Sequence, residues 1–322
     1  MPTPAGDRIT VLAGGVGAAR YLSGLLQVVD PTSVTAVVNT GDDIVLHGLH
    51  ISPDLDTVTY TLAGAINPET GWGLAGETWQ AMDALGRFGA HAPAGSRAGT
   101  TWFGLGDRDL ATHLYRTARL HEGASLSTVA AEVGRAFGLG LCLLPMTDDR
   151  VETRLTMAAT GEEVGFQEYF VQRRHDVAVT SVRFAGVGEA CPAPGVLDAI
   201  DGAGRIVVAP SNPVVSIGPV LAVAGVRERL DARRDDVVAV SPIVAGAALK
   251  GPADRLLTEL GHEASVVGVA RLYAPFAATL VIDEADADLA AAVEAEGVRC
   301  VVAPTIMRGP AEAAALAEVT LR

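Results

Sequence analysis

The chain has 322 residues, 49% of them hydrophobic, which is enough apolar material to bury one large α/β domain or two ordinary ones. Its 24 basic and 38 acidic residues give a formal net charge of −14. This balance argues against a nucleic acid or an anionic membrane as a partner, because those affinities come largely from Lys and Arg.

Short apolar runs rich in Val and Ile predict strands at residues 9–13, 34–38, 206–209, 237–240, 265–269, 279–282 and 298–302. Helix-like segments lie between most of them, at residues 18–28, 57–65, 219–230, 253–260 and 285–295. Strands without polar alternation, separated by helices, are typical of a parallel sheet covered on both faces. The predicted fold class is therefore α/β, with a Rossmann-like, doubly wound, mainly parallel sheet.

The remaining segments suggest additions to a single domain over residues 1–322. We expect a helical cap at about 72–140, interrupted by an exposed loop at 89–99 that is rich in Gly, Ala, Pro and Ser. We also expect a small inserted subdomain at about 150–190, with strands at 151–158 and 177–184 and a short aromatic helix at 166–171. The uncharged run 206–226 contains three prolines, which favours a buried strand, a loop and a helix start over a membrane span.

A glycine-rich turn follows the first predicted strand. Gly14, Gly15 and Gly17 would let backbone amides approach a phosphate, with Arg20 as a possible charge partner. The turn is not a nicotinamide fingerprint, because Arg20 stands at the third glycine position and Asn39 stands where an acid would bind the ribose. It is not a P-loop either, since no Gly-Lys-Ser or Gly-Lys-Thr follows. A turn that only packs the strand on the helix remains the alternative.

Four aspartates follow within a short stretch: Asp42, Asp43, Asp54 and Asp56. Each alone is a good candidate for a helix or turn cap. Together, beside a possible phosphate-binding turn, they favour a bound cation, because uncompensated like charges repel. Mg²⁺ is the predicted ion, since it accompanies most bound diphosphates.

A later segment combines aromatic and acidic residues. Trp102 and Phe103 precede a turn, and Asp107 and Asp109 stand at a helix start. These aromatics could stack on a flat heterocycle, or they could simply pack a capped helix.

Two polar clusters come at predicted strand ends. Thr147 and Asp148 belong to the first, and Ser211, Asn212 and Pro213 follow the strong strand at 206–209. The second cluster could bind a phosphate or a base edge, and a rigid proline turn is its structural alternative.

Seven ordered motifs, from about residue 8 to beyond residue 250, resemble the 2-phospho-L-lactate transferase family. They are Gly14-Gly15-Val16-Gly17-Ala18-Ala19-Arg20, Asn39-Thr40-Gly41-Asp42-Asp43, Pro53-Asp54-Leu55-Asp56-Thr57, the segment 102–113, Leu144-Pro145-Met146-Thr147-Asp148-Asp149-Arg150, Phe166-Gln167-Glu168 and the segment 209–218.

The resemblance implies a transferase of coenzyme F(420) biosynthesis. Such enzymes move a phospholactyl or phosphoenolpyruvyl group from its guanosine diphosphate conjugate to the ribityl hydroxyl of the deazaflavin Fo, and they release GMP. They use Mg²⁺ and are typically homodimers. The oxidation state of the donor group is left open by the sequence.

The resemblance also assigns residues. Asp42 and Asp56 match the metal ligands, while 14–17 and 211–213 match the contacts to guanosine and phosphate. Segments 102–109 and 147–149 would line the Fo side. The acidic cluster itself, apart from the resemblance, suggests the hypothesis that Asp43 or Asp54 accepts the proton of the attacking hydroxyl. Gly104 departs from the pattern, because relatives often carry a larger polar or charged residue there.

Other interpretations come from other classes of protein. A nucleotide-sugar or dinucleotide-binding regulator could share the turn and the sheet without turnover, and an NAD-dependent oxidoreductase is opposed by Arg20 and Asn39.

Cys142, Cys191 and Cys300 are far apart, so neither a disulfide framework nor a structural zinc site is indicated. We expect a cytoplasmic protein, since residues 1–8 lack the pattern of a secretory signal.

Overall fold

The computed structural model describes residues 8–322, so most of the segment used for the secretory prediction lies outside it. Its strands are β1 Ile9–Ala13, β2 Val34–Val38, β3 Ile44–Leu46, β4 Leu49–Ile51, β5 Cys142–Pro145, β6 Glu152–Met157, β7 Glu163–Gly165, β8 Val179–Ala185, β9 Arg205–Val208, β10 Val237–Val240, β11 Ile243–Val244, β12 Ala247–Ala248, β13 Thr279–Ile282 and β14 Arg299–Val302.

The helices are α1 Gly15–Val28, α2 Pro53–Leu62, α3 Gln80–Gly89, α4 Asp109–His121, α5 Leu126–Ala136, α6 Val196–Gly202, α7 Gly218–Ala222, α8 Val226–Ala232, α9 Ala253–Glu259, α10 Val266–Tyr273, α11 Ala290–Ala295 and α12 Pro310–Thr320. Single turns of other helix types occur at Pro31–Ser33, Glu168–Gln172, Pro213–Ile217 and Arg234–Asp236, and a 3₁₀-helix spans Glu284–Leu289.

Seven strands form the central sheet, in the order β14-β13-β10-β9-β1-β2-β5, and every neighbouring pair is parallel. Each face of this sheet is covered by its own apolar core. Leu12 of β1 faces one core, whereas Val11 and Ala13 face the other. Successive side chains of a strand point to opposite faces, so β1 is buried on both sides. The prediction of a doubly wound α/β fold is confirmed.

Two predicted elements differ clearly from the structure, and one strand of the central sheet was not predicted. Residues 265–269 are not a strand, because Ser265 caps α10 by accepting hydrogen bonds from the amides of Val267 (3.2 Å) and Gly268 (3.1 Å). The start of α10 is buried all round, and a short apolar run without periodicity fits a buried helix as well as a strand. The helix predicted at 219–230 is two helices, separated where Gly225 adopts a φ of 80°. The edge strand β5 has no counterpart among the predicted strands.

The regions on either side of β5 contain the additions to the sheet. Residues 72–140 carry α3, α4 and α5, and residues 150–190 carry a three-stranded antiparallel sheet in the order β7-β6-β8. The amide of Thr153 in β6 donates a hydrogen bond of 2.6 Å to the carbonyl of Gly41, which follows β2. The small sheet is therefore attached directly to the carboxyl end of the central one.

None of the helices in residues 8–322 combines the length and the apolar character that a membrane crossing requires.

Gly24 brings helices α1 and α12 into close contact. A Cβ at Gly24 would lie 2.2 Å from the carbonyl carbon of Ala313, so Gly24→Ala must push the helices apart. We expect this overpacking to lower the free energy of unfolding by about 1–3 kcal/mol, measured by urea titration. Gly188→Ala is the matched control, because no heavy atom lies within 4 Å of its Cβ position. Equal stability of the two variants would contradict the packing described for α1.

Candidate active site

Two loops meet at the point where the strand order reverses. From β1 the strand order continues through β2 and β5 on one side, and from β9 through β10, β13 and β14 on the other. In sheets of this kind ligands bind in the crevice at such a reversal, which here lies between the loops after β1 and β9. The amide of Gly14 donates to Ser211 Oγ (3.3 Å), and Ser211 Oγ donates to the Gly14 carbonyl (2.8 Å). These two hydrogen bonds fix the glycine turn against the loop that follows β9.

The glycines of the turn are needed for this close approach. A Cβ at Gly17 would lie 2.1 Å from the carbonyl oxygen of Pro210, and one at Gly14 would lie 2.7 Å from Ser216 Cβ. Gly15 has a φ of 69°, in the left-handed region that favours glycine. Packing alone therefore explains part of the glycine pattern.

The N-cap of α1 is Gly14, which supplies no side-chain cap, so a polar group from outside the helix can meet its first amides.

Asn39 holds two of the predicted carboxylates together. Its buried Nδ2 donates to Asp54 Oδ2 (2.9 Å) and to Asp42 Oδ1 (3.2 Å), and its Oδ1 accepts from the Gly41 amide (2.8 Å). Gln167, which follows β7, donates to Asp42 Oδ2 (3.1 Å). Two neutral amide side chains thus orient Asp42, and neither neutralises its charge.

The neighbouring Asp43 carries an oxygen without a partner. Ser52 Oγ donates to Asp43 Oδ2 (2.6 Å), whereas Asp43 Oδ1 is buried and has no hydrogen bond in residues 8–322. The hydroxyls of Thr40 and Thr153 are likewise buried and unpartnered. Buried polar atoms normally find partners, so this group of oxygens marks a place for a ligand.

Asp56 is compensated in a way that the other three aspartates are not. It lies with Asp54 in the first turn of α2, and Arg116 of α4 binds both of its carboxylate oxygens. Arg116 also contacts His113 Nδ1 (3.3 Å), and Asp109 accepts a hydrogen bond from Tyr60 (2.5 Å) and lies 3.3 Å from His113 Nε2. Asp56, Asp109 and His113 are close enough together to coordinate an ion. The guanidinium among them opposes a cation there.

Burial and mutual repulsion raise the pKa values of the uncompensated aspartates. Burial, followed by the charges of Asp54 and Asp43, holds the pKa of Asp42 well above its usual range. Burial also raises the pKa of Asp43 well above that range, against the hydrogen bond from Ser52 and the nearby charge of Arg116. Burial raises the pKa of Asp54 to about 6, although Asn39 and the Gly15 amide favour its ionised form. A divalent cation would stabilise the ionised forms of all three.

The raised pKa of Asp54 predicts a pH-dependent stability. Between about pH 4 and pH 6 the folded state binds more protons here than the unfolded state, so the free energy of unfolding falls as pH rises. We expect Asp54 to contribute a loss on the order of 3 kcal/mol in metal-free protein. The measurement is the stability difference between wild type and Asp54→Asn at pH 4.5 and pH 7. A difference that is the same at both values would contradict the assignment.

A cleft of about 270 Å³ opens beside Asp43, between the loops that follow β2 and β5. Thr40 and Asp43 line it on one side, Asp148 and Arg150 on another, and Arg116 forms part of its wall. The unpartnered oxygens and the cleft are therefore continuous with one another.

Comparison with known proteins assigns this arrangement to a family. The model of the family described as 2-phospho-L-lactate transferase CofD matches residues 9–306. The chain belongs to the 2-phospho-L-lactate transferase family. This confirms the prediction of a transferase of coenzyme F(420) biosynthesis.

Curated relatives match over nearly the whole length. A phosphoenolpyruvate transferase of Streptomyces griseus subsp. griseus is 45% identical over 317 residues, which cover 98% of this chain and 97% of that protein. One from Kitasatospora aureofaciens is 46% identical, with coverage of 98% and 97%. One from Mycolicibacterium smegmatis is 40% identical, with coverage of 98% of each chain.

Among solved structures, a UPF0052 family member from Bacillus halodurans superposes with a TM-score of 0.61. It is 16% identical, covers 98% of this chain and 99% of its own, and supports the fold alone.

The residues predicted to contact the nucleotide fall into two places. Ser211 and Pro213 are buried beside the glycine turn, and Asn212 Oδ1 caps the turn after β9 by accepting from the Val214 amide (2.9 Å). Arg20 is exposed on α1 and donates to the carbonyl of Met307 (3.5 Å). The backbone of both loops lies at the crevice, whereas the Arg20 guanidinium is directed to the loop before α12.

The acidic and hydroxyl groups predicted for the Fo side have structural partners. Asp107 caps α3 by accepting from the amides of Gln80 and Ala81 (both 3.0 Å). Asp148 accepts from the Ser127 amide (2.6 Å) in the first turn of α5. The hydroxyl of Thr147 donates to the carbonyl of Cys191 (2.5 Å), and Asp109 belongs to the Asp56 network. Asp148 and its predicted neighbour Asp149 also line the cleft.

The predicted aromatic residues pack within the cap. Trp102 and Phe103 contact an apolar cluster formed by the β3–β4 hairpin and α3. Gly104 lies against Trp72 and Trp79, and its Cβ position is 3.4 Å from an atom of each indole. The indoles of Trp72 and Trp79 are partly exposed. They are therefore more accessible to a ligand than the side chains of Trp102 and Phe103.

Several residues of this site had no role in the sequence analysis. Asn39 and Gln167 are members of family motifs, but neither has a predicted role at the site. His113 and Arg116 follow Asp109 at spacings of four and seven on α4, which places all three on one helical face. That polar spacing could have indicated a buried network before the structure was known.

Proposed function

We propose that this family member transfers a phosphoenolpyruvyl group from its guanosine diphosphate conjugate to the ribityl hydroxyl of Fo and releases GMP. The curated relatives named phosphoenolpyruvate transferase, at 40–46% identity, support this donor over the phospholactyl one. The observation that carries the proposal is the group of uncompensated carboxylates at the end of β2, directly beside the glycine turn.

The donor set at the end of β2 fits Mg²⁺, which is the cofactor we propose. Asp42 offers hard oxygen ligands, and the nearby hydroxyls of Thr40 and Thr153 are buried without a partner in residues 8–322. Asp56, the second predicted ligand, would have to bind through electron pairs that Arg116 does not use, since a carboxylate offers about four acceptor positions. When bound, Mg²⁺ would neutralise charge on the diphosphate oxygens.

The chain itself would position the donor. The crevice between the glycine turn and the loop after β9 is the proposed place for the guanosine diphosphate moiety. The Gly15 amide is bound to Asp54, and the amides of α1 that follow it would be directed at phosphate oxygens. Asn39 and Gln167 hold Asp42 in a fixed orientation, so the carboxylate needs no rearrangement when the donor binds.

The hydroxyl of Fo would form a bond to the phosphorus distal to guanosine, while the bond from that phosphorus to the GMP oxygen breaks. The proton of the hydroxyl needs an acceptor, and we assign it to Asp43. Its Oδ1 is free of partners, whereas Asp54 is held by Asn39 and the Gly15 amide. A strong base is not required, since the transition state of such transfers is loose.

We place the deazaflavin ring on the aromatic side of the cap, near Trp72, Trp79 and the 102–109 segment. The edge-to-face arrangement of the two indoles, with centroids 5.9 Å apart beside Gly104, leaves faces on which a flat ring could stack.

The test is a turnover assay that offers both guanylated donors with Fo and Mg²⁺ and follows product mass. We expect the phosphoenolpyruvyl product to form faster than the phospholactyl one. Preference for phospholactate would overturn the donor assignment. Binding of GDP without any turnover would instead support a nucleotide-binding regulator.

We also propose a cytoplasmic homodimer. The free thiols of Cys142, Cys191 and Cys300 support a reducing compartment, and the family resemblance supports the dimer. Light scattering of the purified chain tests the oligomeric state, and a monomeric mass at micromolar concentration would contradict it.

A further inference from the structure

The cleft beside Asp43 collects positive and hydrogen-bond-donating groups in a chain whose net charge is −14. His50, Arg116, His121 and Arg150 all line it. The imidazoles of His50 and His121 meet edge to face, with ring centroids 6.3 Å apart.

Three acidic residues, Asp43, Asp148 and Asp149, also line the cleft. Asp148 accepts hydrogen bonds from the amide (2.6 Å) and the hydroxyl (2.9 Å) of Ser127, at the start of α5. Asp149 Oδ2 accepts from the Cys191 amide (2.8 Å). Neutral donors orient both carboxylates without neutralising them, so Arg150 is a cation set among carboxylates of fixed position.

The arginine side chains of the cleft differ in how firmly other residues of the protein bind them. Arg116 is committed to Asp56 and to the His50 carbonyl (3.3 Å), so it forms the base of the cleft. The side chain of Arg150 is 65% exposed. It forms an ion pair with Glu152 (3.2 Å), which also pairs with Arg154. Arg150 can therefore turn to an anion in the cleft with little loss. Burial, with the charges of His121, Arg150 and Arg116, lowers the pKa of His50.

We propose that this cleft is the subsite for the carboxylate of the three-carbon acid on the donor, with Arg150 and His50 as its specificity-determining residues. The inference rests on the proposed function and deepens it. A small carboxylic acid attached to the distal phosphorus must lie close to the group that receives the hydroxyl proton. Asp43, which we assign to that role, lines the same cleft.

The size and the chemistry of the cleft agree with such an acid. A volume of about 270 Å³ accommodates a three-carbon acid. A guanidinium recognises a planar carboxylate through two parallel hydrogen bonds, and an imidazole N–H adds a third donor.

The experiment compares Arg150→Met, His50→Leu and the double variant with wild type, all as full-length chains with Mg²⁺. We expect each single variant to raise the KM for the guanylated phosphoenolpyruvate donor about tenfold, and the double variant to raise it further. The KM for Fo and the inhibition constant of GDP should stay unchanged, because neither ligand carries the acid. Arg150→Lys should restore part of the affinity. Arg135→Met, an exposed arginine of α5 outside the cleft, is the matched control.

A raised KM for Fo, an equal loss of GDP binding, or no change in any constant would overturn the subsite. Titration of free phosphoenolpyruvate against the same variants tests the cleft without turnover, and we expect weaker binding to Arg150→Met than to wild type. Absence of turnover in the wild type would refute the proposed function, and the titration would still decide on the cleft.

Discussion

Asp42→Asn should lower transferase turnover at least about a hundredfold at low Mg²⁺, because it removes a buried charge that no side-chain cation balances. Asparagine keeps the shape of the side chain, so the effect would come from the loss of charge. The same substitution should make the metal-free protein more stable at neutral pH, since ionised Asp42 repels Asp43 and Asp54. If Asp42 had a purely structural role, the substitution would lower both turnover and the stability of the metal-free protein.

The measurement for Asp42→Asn is turnover over a range of Mg²⁺ concentrations, together with the Tm of metal-free protein. Asp198→Asn, an exposed aspartate in α6, is the control and should change neither quantity. Near-normal turnover of Asp42→Asn at low Mg²⁺ would remove the proposed metal role.

Arg116→Met should cost about 3–5 kcal/mol of unfolding free energy, because it leaves Asp56 buried without its partner. Part of this loss should return in the double variant Arg116→Met/Asp56→Asn, in which no unpaired charge remains. The stability of the four proteins in urea forms a double-mutant cycle. Additive losses would show that the two side chains are not coupled, against the geometry of α2 and α4.

The central sheet could be predicted because its strands are short, apolar and separated by helices. Residues 9–13, 34–38, 237–240 and 279–282 match β1, β2, β10 and β13 at both ends. The errors have local causes. Residues 265–269 are as apolar as a buried strand, and only the capping hydroxyl of Ser265 distinguishes them. The strand β5 has four residues, ends in Pro145 and lies at the sheet edge, so its composition gives little strand signal.

The candidate site was predictable in location but less so in detail. The predicted strand ends and the glycine turn indicated that the loops after β1, β2 and β9 lie together at the carboxyl edge of the parallel sheet, where ligands bind in this fold. The partners of each carboxylate depend on contacts between residues far apart in the chain. Gln167 and Asp42 are 125 positions apart, and Arg116 and Asp56 are 60 apart. No local pattern separates Asp42, which is held by amides, from Asp56, which is paired with a guanidinium.

A crystal structure of the protein with GDP and Mg²⁺ tests the account most directly. We predict the diphosphate between the glycine turn and the loop after β9, with the ion bound to Asp42 at the end of β2. A nucleotide bound elsewhere, or an ion that contacts neither Asp42 nor Asp43, would contradict the account.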